Sequence, residues 1–343
     1  MLDMIPVHEA EAVRSPRVSL VTELAPVVTK GKFFFVDGEK FFLKGVTYGP
    51  FAPASHGAPF PERSLIERDF TLMRELGANT FRTFTVPPRW LLDLAGEHGL
   101  RVIAGIPWAE HVAFLDSPHL AHNIHRTIAE GVKACRGHAA VLACLIGNEI
   151  PPDIARWHGP ERVRTFLREL VETAKTTDPE RLVSYANFPS TEYLDVSFTD
   201  FVSFNVYLHH EAAFRSYLSH LHNLAGDKPL VFTEFGIDSM REGPGVQAQT
   251  LAWQVQASFE GGAAGTVIFA WTDDWYALQL SGEGGFQVED WPLVWSIASG
   301  ARSRRSPQFS AITTHLCRLS CPSIPKSRWW CVPIMPSVPW LPA

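Results

Sequence analysis

The sequence predicts an α/β protein folded as an eight-stranded (β/α)8 TIM barrel, and three observations support this prediction. Eight short apolar runs follow one another from Phe41 onwards. Segments with apolar residues at helical spacing separate most of these runs. Two of the runs, which end at Glu149 and Glu234, are almost uninterrupted apolar stretches. Such runs are typical of parallel strands buried on both faces, and roughly 250 residues hold eight strand–helix units.

The elements follow in a regular order. Residues 1–30 lack periodicity and are predicted to form an N-terminal arm. Residues 32–40 predict a hairpin that turns at Asp37-Gly38, a dipeptide favoured in tight hairpin turns. The eight strands that follow are predicted at residues 41–48, 80–85, 101–107, 141–150, 182–188, 200–207, 230–235 and 265–271.

Helical apolar spacing fills most of the gaps between these strands. The helices are predicted at residues 64–76, 88–98, 121–135, 160–176, 212–224 and 246–260. Gly77 and Asp178-Pro179 are helix stop signals that end the first and the fourth of them. The barrel is therefore expected to occupy residues 31–291.

Residues 292–343 break this pattern where the last helix of the barrel is expected. The segment is rich in Pro, Ser, Arg and Cys, so the last helix is predicted to be atypical or missing. One interpretation is a disordered tail. The other is a frameshift after Trp291. Suitable codons for residues 292–300, read one base earlier, spell Ala-Phe-Gly-Leu-Val-Asp-Arg-Glu-Arg. The same shift makes residues 326–337 similar to the opening strand of a family 2 glycosyltransferase domain, which would be fused to the barrel in the intact gene.

Composition narrows the class of protein. The chain has 343 residues, of which 46% are hydrophobic and 19% charged, which is typical of a globular protein with a large core. A net charge of −6 without a basic stripe argues against nucleic-acid binding. The N-terminus lacks the basic start and apolar run of a secretory signal, and no stretch is long and apolar enough to span a bilayer. A cytoplasmic protein is therefore expected.

The cysteines predict neither disulfides nor a metal site. Their odd number, five, favours free thiols in a chain without a secretory signal. Cys317 and Cys321 could ligate a metal, but no partner pair at zinc spacing accompanies them. No metal or other cofactor is expected.

Glu149 and Glu234 are the strongest candidates for chemistry. Each follows an apolar run, at the strand end where α/β barrels hold their active sites. Two facing carboxylates are the minimal machinery of a glycosidase, in which one is the nucleophile and the other the acid/base. The alternative is that each is only a strand-end carboxylate in an ion pair.

Several motifs in the expected order and spacing carry a family resemblance. They are Phe41-Phe-Leu-Lys-Gly-Val, Gly77-Ala-Asn-Thr-Phe-Arg-Thr, the segment from Gly137 to Glu149 that ends in Gly-Asn-Glu, Thr233-Glu-Phe-Gly, and Trp271 at the last strand. Over residues 32–291 the chain resembles the retaining glycoside hydrolases of clan A, and most of all the catalytic barrel of family 2. The resemblance implies that Glu149 is the acid/base and Glu234 the nucleophile.

Four further residues are expected at the sugar site. The resemblance implies that Arg82 and Tyr207 both bind the nucleophile carboxylate. Asn148 is expected to bind the substrate 2-hydroxyl, and Trp271 to form a stacking floor. The alternatives are a structural salt bridge for Arg82, a turn residue for Asn148, and core aromatics for Tyr207 and Trp271.

Weaker candidates lie in loops after the strands. Trp108 and His111 follow the third strand and could line the cleft. His209 and His210 follow Tyr207, and one of them could contact the substrate; the alternative is that both are surface loop histidines. Asp274 and Trp275 follow the last strand and could set subsite specificity; the alternative is a solvated loop.

The sequence thus predicts a retaining β-glycosidase for a β-linked glucan or oligosaccharide. Two alternatives stay open: a transglycosidase that uses the same residues, and a carbohydrate-binding barrel without turnover. The segment before the barrel is too short for the N-terminal β-sandwich domains of typical family 2 enzymes, so their specificity does not transfer to this chain.

Overall fold

The computed structural model of the chain describes residues 24–51 and 59–272. Its strands are β1 (Val28–Lys30), β2 (Phe33–Val36), β3 (Glu39–Phe41), β4 (Leu43–Thr47), β5 (Thr80–Thr83), β6 (Arg101–Gly105), β7 (Val141–Asn148), β8 (Leu182–Asn187), β9 (Val202–Asn205), β10 (Leu230–Phe235) and β11 (Gly265–Ile268). Its helices are α1 (Arg63–Glu75), α2 (Arg89–Glu97), α3 (Pro118–Cys135), α4 (Pro152–His158), α5 (Pro160–Thr177), α6 (Glu211–Ala225), α7 (Ser239–Glu242) and α8 (Pro244–Glu260).

Strands β4 to β11 form a closed barrel. Each strand pairs in parallel with the next along the chain, and β11 closes the ring by pairing with β4. The predicted eight-stranded barrel is confirmed. The strand predicted at residues 230–235 is β10 itself, and the other seven are shorter than predicted: the last, predicted at residues 265–271, ends at Ile268. Most of the apolar runs continue beyond the ladder into the loops at the carboxyl ends of the strands, which is why the sequence overestimates strand length.

The predicted hairpin is also confirmed. Strands β2 and β3 pair antiparallel, with Val36 opposite Glu39. Asp37 and Gly38 have φ values of 50° and 79°, the left-handed backbone that a tight hairpin turn requires at both central positions. The N-terminal arm is shorter than predicted, because residues 28–30 form β1 and pair with β2. Residues 1–23 of the arm lie outside the described residues.

Six of the helices were predicted, and two were not. Helices α4 and α7 are short, and they follow the two strands that carry the candidate glutamates. Their four to seven residues are too few for helical periodicity to show in a sequence. Among the described helices, none has the length and apolar character needed to cross a membrane. The expected last helix and the irregular tail lie outside the described residues.

The packing follows from strands that are buried on both faces. All residues of β5, β6, β8, β9 and β10 are buried. One cluster of buried side chains lies between the strands and the helices. A second one contains Leu43, Ile103 and Leu145 together with Phe34 of the hairpin. Because β3 leads directly into the start of β4, the hairpin covers the amino end of the barrel and leaves the carboxyl end for the site.

Candidate active site

The carboxyl ends of four strands bring the predicted polar residues together. Arg82 lies near the end of β5, Asn148 and Glu149 at the end of β7, and Glu234 near the end of β10. Tyr207 lies two residues beyond the end of β9. Parallel strands of a closed barrel all end at one face, so residues far apart in sequence meet there.

Glu234 is held through both carboxylate oxygens. Its side chain is nearly buried, with 6% of the residue exposed. Arg82 Nη1 donates to Oε1 over 2.7 Å, and Tyr207 Oη donates to Oε2 over 2.7 Å. Burial, followed by the charges of Glu234 and Glu149, holds the pKa of Tyr207 well above its ordinary value, so Tyr207 remains a donor. The predicted contacts of Arg82 and Tyr207 with this carboxylate are present.

Glu149 lies in a different electrostatic environment. Burial, and next the negative charge of Glu234, raise the pKa of Glu149 to about 7. A hydrogen bond from Asn205 and the charge of Arg82 act in the opposite direction. A carboxyl group with a pKa near 7 is protonated in about half of the molecules at neutral pH, so it can serve as a general acid. The two glutamates therefore have the unequal environments that acid and nucleophile require.

Asn205 is a site residue that the sequence analysis did not select. Its Nδ2 lies 2.7 Å from Glu149 Oε1 and 2.8 Å from Glu234 Oε1. Because both distances end on one nitrogen, the two carboxylate oxygens are at most about 5.5 Å apart, which matches the spacing of retaining rather than inverting glycosidases. Thr233 Oγ1 fixes the other side of the amide by donating to Asn205 Oδ1 over 2.8 Å. One signal for Asn205 was present in the sequence. It ends an apolar run two residues before Tyr207, and residues two apart in an extended strand lie on the same face.

Asn148 is held through its amide oxygen. Arg82 Nη2 donates to Asn148 Oδ1 over 2.6 Å, and Asn205 Nδ2 donates to the same oxygen over 3.1 Å. Arg82 is 1% exposed and therefore connects Asn148 and Glu234 from inside the barrel.

Glu110 is a second residue that sequence analysis missed, although its neighbours Trp108 and His111 were selected. It is 7% exposed, and its Oε1 accepts the backbone N–H of Asn148 over 3.2 Å. Burial raises the pKa of Glu110 to about 8. No sequence pattern distinguishes this glutamate from a solvated loop carboxylate, because its burial depends on packing around β7.

The structure places Trp108 in the core and not at the predicted position lining the cleft. Trp108 is 4% exposed, and its indole N–H donates to Ile146 O over 2.7 Å. Its ring packs edge-on against Phe114 and Phe166. The loop after β6 folds inward, so that a side chain expected at the substrate surface instead supports β7 from behind.

The remaining candidates differ in position. His111 is exposed, and His209 is exposed with Nε2 3.1 Å from Gly236 O, beside the loop that follows Glu234. Trp271 is half-buried, and its backbone N–H donates to Thr47 O at the end of β4. Asp274 and Trp275 lie outside the described residues, as do Cys317 and Cys321. Within residues 24–51 and 59–272, no group of three or more His, Cys, Asp or Glu side chains could hold a metal ion.

Comparisons with known proteins agree with this architecture. Residues 27–276 match the glycosyl hydrolases family 2 TIM barrel domain. A β-glucuronidase of Paenibacillus borealis is 26% identical over 239 residues, which cover 62% of this chain and 38% of that protein. The 1,3-beta-glucanosyltransferase gel1 of Aspergillus fumigatus is 22% identical over 335 residues, which cover 90% of this chain and 69% of that protein.

Solved structures share the fold. A Ruminococcus gnavus β-glucuronidase in complex with uronic deoxynojirimycin aligns with a TM-score of 0.64 at 20% identity, over 74% of this chain and 47% of that one. Bacteroides uniformis β-glucuronidase 2, covalently bound to cyclophellitol-6-carboxylate aziridine, aligns with a TM-score of 0.63 at 21% identity, over 72% of this chain and 33% of that one. The chain thus spans well under half the length of several β-glucuronidases that it matches. From the match over residues 27–276, the chain belongs to glycosyl hydrolase family 2, whose TIM barrel domain it carries.

Proposed function

We propose that this chain is a retaining β-glycosidase that acts on a β-linked glucan or oligosaccharide by double displacement. The observation that carries the proposal is the single amide nitrogen of Asn205, which bridges one oxygen of Glu149 and one of Glu234. This bridge sets a carboxylate spacing too short for a water molecule to attack between acid and base, as an inverting mechanism requires.

In the first step, Glu234 attacks the anomeric carbon. A bond forms between a Glu234 oxygen and that carbon, the glycosidic bond breaks, and the leaving oxygen takes the proton of Glu149. The contacts from Arg82 and Tyr207 hold the Glu234 carboxylate in place for the attack. Asn148 Oδ1 is engaged by Arg82 and Asn205, so its Nδ2 is the group that donates to the substrate 2-hydroxyl.

In the second step, Glu149 acts as a base. Formation of the glycosyl ester removes the negative charge of Glu234, which is one of the causes of the raised pKa of Glu149. Glu149, which gave its proton to the leaving oxygen in the first step, therefore stays ionised, and its carboxylate accepts a proton from the attacking water. The new bond forms at the anomeric carbon, and the ester bond to Glu234 breaks.

We expect the remaining predicted residues to contribute binding. Trp271 forms the stacking floor of the sugar site, and His209 and His111 contact the substrate from the rim. We expect Asp274 and Trp275, three and four residues after Trp271 in the sequence, to set subsite specificity.

The charge distribution favours a neutral sugar over a uronic acid. Arg82, the cation that contacts Glu234, is already engaged by that carboxylate and by Asn148. A substrate carboxylate would meet the negative charge of the Glu234 carboxylate, whereas a glucosyl unit would not.

Transglycosylation is the second candidate. The Aspergillus glucanosyltransferase covers 90% of this chain, a larger share than the β-glucuronidases described above cover. The same residues would serve, with an acceptor sugar hydroxyl in place of water in the second step. A non-catalytic binding barrel is the remaining alternative, and the preserved Glu149, Asn205 and Glu234 arrangement argues against it.

The test is release of nitrophenol from a panel of aryl β-glycosides, with Glu234→Ala in parallel. We expect release from the β-glucoside, retention of the β-configuration in the first product seen by NMR, and loss of release in the variant. A laminari-oligosaccharide acceptor distinguishes the two candidates, since a transglycosidase makes longer products. Preference for the β-glucuronide would overturn the neutral-sugar assignment, and an inverted product would overturn the mechanism.

Two expectations about the whole gene product remain proposals. A shifted frame after Trp291 would join the barrel to a glycosyltransferase, and the DNA sequence around codon 291 tests it. A cytoplasmic location is tested by cell fractionation with an antibody against the barrel.

A further inference from the structure

Glu149 has an unusual backbone conformation. Its φ is 49°, in the left-handed region that a residue with a Cβ rarely adopts. The pairing of β7 with β8 also shifts register between Leu145 and Asn148, directly before it. A bulge of this kind re-aims the following side chain but also interrupts the regular strand ladder. The position of the Glu149 carboxyl therefore depends on whatever holds this irregular segment.

Side chains from the loop after β6 and from strand β8 hold the segment from Ile146 to Ile150. On one side, Glu110 Oε1 accepts the N–H of Asn148 over 3.2 Å. On the other side, Tyr185 Oη accepts the N–H of Ile150 over 2.8 Å. The N–H of Glu149 itself donates to Ala186 O over 2.9 Å. The two amides that flank Glu149 are thus bound by side chains rather than by a backbone ladder.

The same segment is packed from both faces. A Cβ added to Gly147 would lie 3.2 Å from the Trp108 ring and 3.2 Å from the Tyr185 ring. The indole N–H of Trp108 is bonded to Ile146 O. The chain therefore passes between two aromatic rings, and glycine is the residue that fits between them.

We propose that Glu110 and Tyr185 are positioning residues, which fix the acid/base carboxyl of Glu149 by binding the backbone amides on either side of it. This inference rests on the proposed function for the role of Glu149, but the contacts themselves do not. Neither residue touches the two oxygens of Glu149 that would exchange a proton with substrate.

The protonation states suit this role. Burial raises the pKa of Glu110 to about 8, so at neutral pH its carboxyl accepts the Asn148 N–H without adding a negative charge beside Glu149 and Glu234. Burial also raises the pKa of Tyr185, which keeps its hydroxyl neutral. Glutamine in place of Glu110 would keep a neutral oxygen acceptor, whereas leucine would remove it.

The test compares leaving groups, because a misplaced acid harms only substrates that need protonation. A 2,4-dinitrophenyl β-glucoside departs without help, whereas a phenyl β-glucoside needs the proton of Glu149. We expect Glu110→Leu and Tyr185→Phe to lower kcat/KM for the phenyl glucoside at least ~10-fold and for the dinitrophenyl glucoside by less than ~2-fold. Glu110→Gln should restore most of the phenyl activity.

Tyr48→Phe is the matched control. Tyr48 is fully buried and its hydroxyl donates to Asp69 Oδ2 over 2.8 Å, away from β7. This variant loses a buried tyrosine hydrogen bond, so it reports general destabilisation. Equal losses on both substrates, or a phenyl-specific loss in Tyr48→Phe as well, would overturn the positioning role.

Hydrogen exchange separates this inference from the proposed function. We expect the amides of Asn148 and Ile150 to lose at least ~10-fold of their protection in Glu110→Leu and Tyr185→Phe respectively, with the rest of the barrel unchanged. That result without glycosidase activity in the parent would support the backbone clamp and refute the chemistry assigned to Glu149. Unchanged protection would overturn the clamp whatever the activity.

Discussion

The two ends of the barrel are built from the same strands and differ completely in chemistry. At the amino end, Phe34 of the hairpin is fully buried and packs edge-on against Phe201, with ring centroids 5.4 Å apart. At the carboxyl end, Arg82 is equally buried but is surrounded by the polar groups of Asn148, Asn205 and Glu234. One end excludes water with apolar side chains, and the other holds charges in place.

The two ends of the barrel differ in whether they contribute mainly to stability or to activity. Apolar burial at the closed end stabilises the fold but positions no group for chemistry. The open end contains features that cost free energy: a left-handed Glu149, a buried guanidinium and three clustered carboxyl groups. We therefore expect substitutions at the two ends to separate the effects on folding from those on catalysis.

Glu234→Gln should have the largest effect, and it should fall on activity. The amide keeps the shape and can still accept hydrogen bonds from Arg82 and Tyr207, but it cannot form a stable glycosyl ester. We expect kcat/KM for a nitrophenyl β-glucoside to fall at least ~10⁴-fold while the near-UV circular dichroism spectrum stays that of the parent. Residual activity above about 1%, after excluding contamination, would show that Glu234 is not the nucleophile.

Phe34→Ala should lower stability rather than activity. Loss of a fully buried ring at the closed end should lower the free energy of unfolding by about 3–5 kcal/mol, measured by urea titration. The folded fraction should keep the parental kcat/KM. Phe35→Ala is the matched control, because Phe35 is only half-buried and should cost less. A large loss of kcat/KM in folded Phe34→Ala would mean that the two ends are coupled.

Asn205→Ala tests the bridge between the glutamates. Without the amide, the carboxyl groups lose their shared contact, and we expect kcat/KM to fall about 10²-fold. The parent should lose activity as the pH rises through about 7, where Glu149 gives up its proton. The hydrogen bond from Asn205 lowers the pKa of Glu149, so its removal should move this alkaline limb to higher pH. A limb that moves to lower pH, or stays, would contradict the assignment.

The sequence predicted the hairpin, the barrel and the framework of the site because these depend on local pattern. Alternating runs and glycine-bounded strands gave the eight-stranded order, and strand ends located Arg82, Asn148 and Glu234. Two of the failures share one cause. Trp108 and Glu110 lie in a loop whose path into the core is set by packing around β7, and neighbouring residues of a loop carry no period that reveals burial.

Asn205 was missed for a different reason. An asparagine at a strand end is common as a turn residue, and only the convergence of β7, β9 and β10 gives it two carboxylate partners. The carboxylates could be inferred from chemistry, since a glycosidase needs two of them. The group that joins them could be identified only once the strands were in place.

The smallest predicted effect is on the pH dependence of stability. The carboxyl of Glu110 has its pKa raised to about 8 by burial, whereas in the unfolded chain it loses its proton near its ordinary value of 4.5. Between these values the folded protein holds a proton that the unfolded chain has released. The stability contributed by this group is therefore complete below about pH 4.5 and is lost as the pH rises to about 8.

Glu110→Gln removes this titration, so the stability of the variant relative to the parent should increase as the pH rises. We expect the difference in free energy of unfolding, variant minus parent, to increase by on the order of 2–4 kcal/mol between pH 5 and pH 8 in urea titrations. The cost of Phe34→Ala should be the same at both pH values, because no ionisable group is lost at the closed end. A pH-independent difference for Glu110→Gln would show that Glu110 is hydrated in solution, and the contrast between the two ends would then be one of shape rather than of charge.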